Sequence, residues 1–271
     1  MIRTLYSAAL LLAQPLLRRK LRRRGEAEPG YLHAVDERFG HYGQAAAPGA
    51  LWIHAVSLGE TRAAAILVDA LRAREPGLRL LLTHGTATGR AEGERLLRPG
   101  DLQAWLPWDT PQAVGRFLDH FRPAAGVLME TEVWPNLAEA CRRRGVPLAL
   151  ANARLSEQSL KQALRLRPLS RPAYAALAAV WAQTDADARR LAEAGARVSG
   201  VCGNLKFDAQ PDPALLARGR AWRGQAQRPV VMVASSREGE EAAFFAVLAA
   251  NRELARAGWA RRASDRAVSD V

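Results

Sequence analysis

The chain has 271 residues, 49% of them hydrophobic and 24% charged, a balance that excludes a disordered or fibrous protein and gives room for one large domain, or one domain and part of a second. Its formal net charge of +12 marks a surface that attracts phosphates, whether on nucleic acid, anionic lipid or a small substrate. No homeodomain, zinc-finger or RNP-like pattern accompanies that charge, and no series of stacking aromatics, so no nucleic-acid partner is expected.

The first element is apolar. Leu5 to Leu17 reads LYSAALLLAQPLL, and Arg18, Arg19, Lys20, Arg22, Arg23 and Arg24 follow directly. A bilayer span needs about 20 apolar residues, so residues 1–24 are expected to form a membrane-anchor helix lying in one leaflet, its basic flank on anionic lipid headgroups. The small-residue cleavage site of a secretory signal is missing. A soluble amphipathic helix packed on the domain is the alternative. Under the positive-inside bias, the arginines and everything after them face the cytoplasm.

From Ala50 onward short apolar runs alternate with longer amphipathic ones, as a parallel sheet covered by helices requires. Strands are predicted at Ala50–Val56, Leu78–Thr83, Leu102–Leu106, Ala124–Met129, Pro147–Ala151, Val180–Gln183 and Val198–Cys202. Helices are predicted at Thr61–Arg74, Pro111–His120, Pro135–Arg144 and Asp185–Glu193, with Pro111 and Pro135 suited to a first turn, where a missing N–H costs nothing. The class is α/β, with the order of a doubly wound sheet whose ligands collect at the carboxyl ends of the strands. A Pro- and Ala-rich stretch, Gln210–Leu216, marks a domain boundary, after which one strand, Pro229–Ala234, and one helix, Glu238–Ala250, precede a polar tail. A lone βα unit exposes an apolar face, so aggregation or proteolysis after Gln210 is expected.

Four strand-end loops carry polar clusters. In Ser57-Leu58-Gly59-Glu60, Gly59 permits a tight turn, and the helix start favours an anion or simply a dipole-complementing Glu60. Thr83 to Gly89 (THGTATG) is a plausible phosphate or sugar cradle, or an ordinary N-cap. Glu130-Thr131-Glu132 precedes Trp134-Pro135-Asn136, putting two acids and an aromatic at a strand end. Asn152-Ala153-Arg154-Leu155-Ser156 offers an amide and a guanidinium to a phosphate or carboxylate, with Ser156 as a plain N-cap the alternative. Three acids on neighbouring strand ends point to acid–base work, and no metal site is expected because His and Asp companions do not recur beside them. His54 reads as a core histidine. Cys141 and Cys202 have no CxxC or Cys/His companion and read as two buried free thiols. The absence of a GxSxG elbow, a Walker loop and a full GxGxxG argues against a serine hydrolase, a P-loop NTPase and a dinucleotide dehydrogenase.

Taken together, WIHAVSLGET at Trp52–Thr61, LLTHGTATG at Leu81–Gly89, LPWD at Leu106–Asp109, METEVWPNL at Met129–Leu137, LANARLSEQS at Leu150–Ser159, GNLKFD at Gly203–Asp208 and ASSREGEE at Ala234–Glu241 resemble, in this order, the Kdo transferase family. The resemblance implies a GT-B type glycosyltransferase with two Rossmann-like domains. The acceptor domain would occupy residues 25–212, residues 213–250 would begin a truncated donor domain, and 251–271 form an atypical tail. It implies inverting, metal-independent transfer of Kdo from CMP-Kdo to a lipid A precursor in lipopolysaccharide core synthesis, without a cofactor, at the cytoplasmic face of the inner membrane. Glu60 stands where the family has its general base. Glu130 or Glu132 would support the acceptor hydroxyl or position Glu60. The implied acceptor contacts are Ser57, Gly59, Thr86, Thr88, Gly89, Glu130, Glu132, Asn136, Asn152 and Arg154. The donor contacts are Lys206, Ser235, Ser236 and Arg237.

Departures are mild at Ala87, where the family often has proline, and at Ala234, Ser236 and Arg237. After about Ala250 nothing matches the family, so an incomplete copy is expected. The rival reading is a catalytically inactive, membrane-associated remnant that binds acidic lipid. A different GT-B sugar transferase is disfavoured by the METEVWPN and LANARLS segments.

Overall fold

Seven short runs form one parallel sheet in the computed structural model, which describes residues 2–225 and 232–251. The strands are β1 (Leu51–His54), β2 (Leu80–His84), β3 (Leu102–Trp105), β4 (Ala125–Met129), β5 (Leu148–Ala153), β6 (Ala179–Ala182) and β7 (Val198–Val201). Their order is β3-β2-β1-β4-β5-β6-β7, so β1 pairs with both β2 and β4 and the chain reverses its winding between β1 and β4. All seven predicted strands are present, each with bounds shifted by a residue or a few. Strands covered on both faces need continuous apolar side chains, which makes them legible as runs.

The helices are α1 (Ile2–Leu12), α2 (Gln14–Ala27), α3 (Leu58–Arg74), α4 (Ala87–Glu94), α5 (Pro111–Phe121), α6 (Pro135–Arg143), α7 (Glu157–Arg165), α8 (Arg167–Ala175) and α9 (Asp185–Ala194) in the first of two compact units, Met1–Ala209. On one sheet face Trp52, Leu81, Leu128, Leu148 and Leu150 pack with Phe117 and Phe121 of α5, Leu137 and Cys141 of α6, Tyr174 of α8 and Leu191 of α9. On the other, Ile53, Leu80, Leu82 and Met129 pack with Ala63, Ala64 and Val68 of α3. Trp52 is fully buried, with its indole N–H donated to Thr83 Oγ1 at 2.7 Å. Gly126 makes room for that ring, since a Cβ there would lie 2.5 Å from it.

The amino-terminal segment differs from the single helix expected. It divides at Ala13, because Pro15 lacks an N–H and its ring excludes the carbonyl four residues earlier, and the basic run is itself helical in α2. Among the described residues no helix is long and apolar enough to cross a membrane. The α1 helix lies against α6 and α8 with Ser7 buried, while Leu5 is 68% and Leu12 83% exposed. Its polar edge faces the protein while Leu5, Leu11 and Leu12 face outward, unlike an ordinary packed amphipathic helix.

Two further expectations are corrected. The helix after β1 begins at Leu58, not Thr61, because Ser57 caps it. Cys141 is buried but Cys202 is exposed, since it follows β7, the edge strand of the sheet. The second unit, Gln210–Val271, contains α10 (Pro213–Gln225) and α11 (Glu240–Ala250). Neither helix has a buried residue, and Trp222 and Val247 are among the exposed apolar side chains. Of the predicted strand Pro229–Ala234, residues 229–231 lie outside the described residues, and Met232, Val233 and Ala234 are not in a strand.

Candidate active site

At a point where winding reverses, the loops after two adjacent parallel strands diverge to opposite sheet faces and leave a crevice at their carboxyl ends. Here that crevice lies beyond β1 and β4. The β1 loop brings Ser57 and Glu60, and the β4 loop brings Glu130, Glu132 and Trp134. Asn152 and Arg154 come from the end of β5, and Lys206 from the short 3-10 helix Leu205–Asp208 after β7.

Ser57 and Glu60 form an S-x-x-E capping box at the start of α3. The Glu60 N–H donates to Ser57 Oγ at 3.3 Å. The Glu60 carboxylate turns back, accepting the Val56 N–H at 2.9 Å and the Ser57 hydroxyl at 3.1 Å. Both readings of Glu60 offered by the sequence are thus compatible: it completes the cap, and the cap fixes its carboxylate at the crevice.

Glu130 and Asn152 adopt left-handed backbone, with φ of 59° and 52°. Asn tolerates this conformation, whereas for Glu it costs about 1–2 kcal/mol, which the surrounding contacts must offset. The Glu130 side chain is 3% exposed and is held by Arg154 at 2.8 Å and by Lys206 Nζ at 3.2 Å. Both cations remain about half exposed, at 57% and 49%, so solvent or a ligand can reach them. Lys206 also lies over the first turn of α3, 4.0 Å from where a Cβ on Gly59 would stand. Asn152 ties this part together, accepting the Leu205 N–H on Oδ1 at 3.1 Å and the Gln183 amide on its carbonyl at 3.0 Å.

The acids have distinct electrostatic settings. Burial raises Glu60 above the usual carboxylate range and Glu130 adds to the rise, while the Val56 N–H, the Ser57 hydroxyl and Arg154 oppose it. Burial and the neighbouring Glu60 and Glu130 charges push Glu132 up to about 7, against the pull of the Trp134 indole N–H, which donates to Glu132 at 2.9 Å. Carboxylates whose proton affinity burial raises, as at Glu60 and Glu132, standing beside fixed cations can take a proton from a hydroxyl while the cations hold an anion. Among the described residues no group of three or more His, Cys, Asp or Glu side chains converges as metal ligands would.

The remaining predicted positions are engaged within the fold. Thr86 caps α4, accepting the Gly89 N–H at 3.1 Å and donating to the Val56 carbonyl at 2.9 Å. Thr88 is exposed beside it, 3.4 Å from the Thr86 hydroxyl. Gly89 lets α4 approach the β1 loop, since a Cβ there would stand 2.8 Å from the Val56 carbonyl. The side chain of Asn136 is buried and bonded to Ser7 and Asp109. Ser235, Ser236 and Arg237 belong to the second unit, where Ser236 donates to Glu241 at 2.5 Å and the Arg237 N–H to Glu240 at 2.9 Å. His54 is a core histidine, 1% exposed, bonded to Thr83, with burial lowering its pKa to about 3. Asp109 escaped sequence reasoning as a functional position. Its signals were its place at the end of the LPWD motif and just before the Thr110-Pro111 helix start, and its partners come from α1 and α6.

Fold and site define a doubly wound, Rossmann-like α/β domain with three glutamates, an arginine and a lysine gathered at its switch point. Residues 33–209 match the family model described as 3-Deoxy-D-manno-octulosonic-acid transferase (kdotransferase), and the chain belongs to that family. It is 50% identical over 257 residues to a 3-deoxy-D-manno-octulosonic acid transferase of Bordetella pertussis, covering 92% of this chain and 60% of that protein. Identity to the Haemophilus influenzae protein of the same name is 31% over 247 residues, covering 89% and 58%. The chain therefore spans about three fifths of the length of these relatives. Among solved structures, UDP-GlcNAc 2-epimerase from Neisseria meningitidis superposes with a TM-score of 0.42 at 15% identity, covering 64% of this chain and 50% of that one.

Proposed function

We propose that this chain is the acceptor-side part of a GT-B type glycosyltransferase that moves Kdo from CMP-Kdo to a lipid A precursor, with Glu60 as general base. The observation that carries the reading is the placement of Glu60. It is a partly buried carboxylate with raised proton affinity, pinned by Val56 and Ser57 beside the Glu130 clasp of Arg154 and Lys206. In the transfer, an acceptor hydroxyl oxygen bonds to the anomeric carbon of Kdo as the bond from that carbon to the phosphate oxygen breaks. CMP leaves with the electron pair, and the hydroxyl proton passes to Glu60. The exposed N–H groups of Arg154 and Lys206 suit a phosphate or carboxylate of either substrate. Trp134 and Glu132 border the same crevice.

The outward leucines of α1 and the arginines of α2 support placement on an anionic inner-membrane leaflet, on the cytoplasmic side. A second reading is a lipid-binding protein without transferase activity, which the outward Leu5 and Leu12 of α1 and the arginines of α2 also support. The two separate in one experiment. Kdo transfer to a lipid A precursor, with CMP-Kdo generated in the assay, is measured for the parent and Glu60→Gln, alongside sedimentation with anionic vesicles. Product from the parent alone supports the enzyme. No product from either, with vesicle binding retained and weakened by salt, supports the lipid-binding reading. Loss of vesicle binding as well refutes both.

A further inference from the structure

We infer that α1 is a working part of the site rather than a detachable tether: through Tyr6, Ser7 and Asp109 it positions the loop that carries Glu132 and Trp134. The inference deepens the reading of Glu132 as a site carboxylate and rests on that reading.

The physical need arises at the start of α6. The first N–H groups of a helix have no partner within it, and the residue in the capping position here is Trp134, which makes no side-chain cap. Asp109, from the loop after β3, supplies the missing acceptors: its carboxylate takes the N–H of Asn136 at 3.0 Å and of Leu137 at 2.8 Å. The Asn136 amide closes the ring by donating to the Asp109 carbonyl at 2.6 Å. The turn leading from Glu130 through Glu132 and Trp134 into α6 is thus held by a residue more than twenty positions earlier in the chain.

The cap is in turn held by α1. Tyr6 donates its hydroxyl to Asp109 Oδ2 at 3.0 Å, and Asn136 Nδ2 donates to Ser7 Oγ at 3.0 Å. Arg3 pairs with Glu139 of α6 at 3.4 Å. Residues 3, 6 and 7 share one helix edge. They aim polar groups inward while Leu5, Leu11 and Leu12 face out, so specific hydrogen bonds take a large part in setting where α1 docks. Asp109 is 5% exposed, and its partners are Tyr6, the two α6 amides and the charge of Arg3. Around Glu132 stand Glu60 of α3, Glu130 of the same loop and the Trp134 indole, with Arg154 and Lys206 bound to Glu130.

The Trp134 indole N–H, bonded to Glu132, provides a reporter that requires no turnover. Its nitrogen–proton resonance, assigned with Trp134→Phe, is followed against pH in the full chain, in Tyr6→Phe, in Ser7→Ala and in Leu12→Ala. The parent resonance is expected to titrate with a midpoint near 7. In Tyr6→Phe and Ser7→Ala the loop loosens and water reaches Glu132, so the midpoint falls by about one pH unit toward the ordinary carboxylate range. Leu12→Ala, on the outward side of the same helix, leaves it unchanged. Equal midpoints in all four proteins, or an equal fall in Leu12→Ala, would overturn the inference. Because the readout is a titration, absence of Kdo transfer leaves it intact. A parent resonance that does not titrate refutes the reading of Glu132 itself.

Discussion

Replacing Glu132 by Gln should stabilise the fold, and only above a definite pH. The substitution keeps the shape and the acceptor for the Trp134 indole but removes a carboxyl whose proton affinity the fold has raised from 4.5 to about 7. Below the unfolded value both states are protonated and the group contributes nothing. As pH rises from about 4.5 to about 7 the unfolded chain loses its proton before the folded one does, so stability falls through this window and stays low above it. Each tenfold in proton affinity is about 1.4 kcal/mol, which makes the cost of ionising Glu132 in place at most about 3.5 kcal/mol. Urea midpoints of parent and variant at pH 4, 6 and 8 measure it. The expected result is coincidence at pH 4 and a variant more stable by about 2–3 kcal/mol at pH 8. A gap that does not change with pH, or a less stable variant at pH 8, would refute the reasoning that burial and like charge press on this group.

Three further substitutions test the scaffold. Asp101→Asn should cost about 3–5 kcal/mol in urea, because the Asp101 side chain is 2% exposed and ion-paired to Arg72 at 4% exposure, and its loss strands a buried guanidinium; adding Arg72→Met should recover most of that. Gly126→Ala should lower stability by about 1–3 kcal/mol and change the near-ultraviolet dichroism of Trp52, whose ring lies 2.5 Å from the new methyl. Ser57→Ala removes the α3 cap and one partner of Glu60 for a loss of about 1 kcal/mol in thermal melts, with Ser57→Thr losing less.

The strands were the most legible part of the fold, and the reason is local. A buried parallel strand must be apolar on both faces, so Leu80–His84 and Leu148–Ala153 announce themselves in any reading frame of the pattern. Helices α3, α5, α6 and α9 were legible to within a few residues through their capping residues and prolines. Helices α4, α7, α8 and α10 were given no bounds. In α8, Pro168 occupies a helix start and Pro172 sits inside a helix of only nine residues, so these prolines mark no break between elements. At the site, Glu60, Glu130, Glu132 and Arg154 were singled out from residue type and loop position, and Lys206 through the resemblance to the family.

What the sequence determined by itself was the alternation that makes the sheet, the family to which the chain belongs, and the presence of acids and cations at strand ends. Those properties belong to residues close together in the chain or to motifs that survive in order. Which strand ends meet was decided only in three dimensions. The reversal of winding after β3 brings the loops of β1 and β4 side by side, and returns Lys206 to Glu130 across 76 positions. The same holds for Asp109, which caps a helix that begins 26 residues later and receives Tyr6 from 103 residues earlier. Hydrogen bonds between residues so far apart leave no periodicity or spacing to read, because the geometry that satisfies them is set by the packing of whole elements.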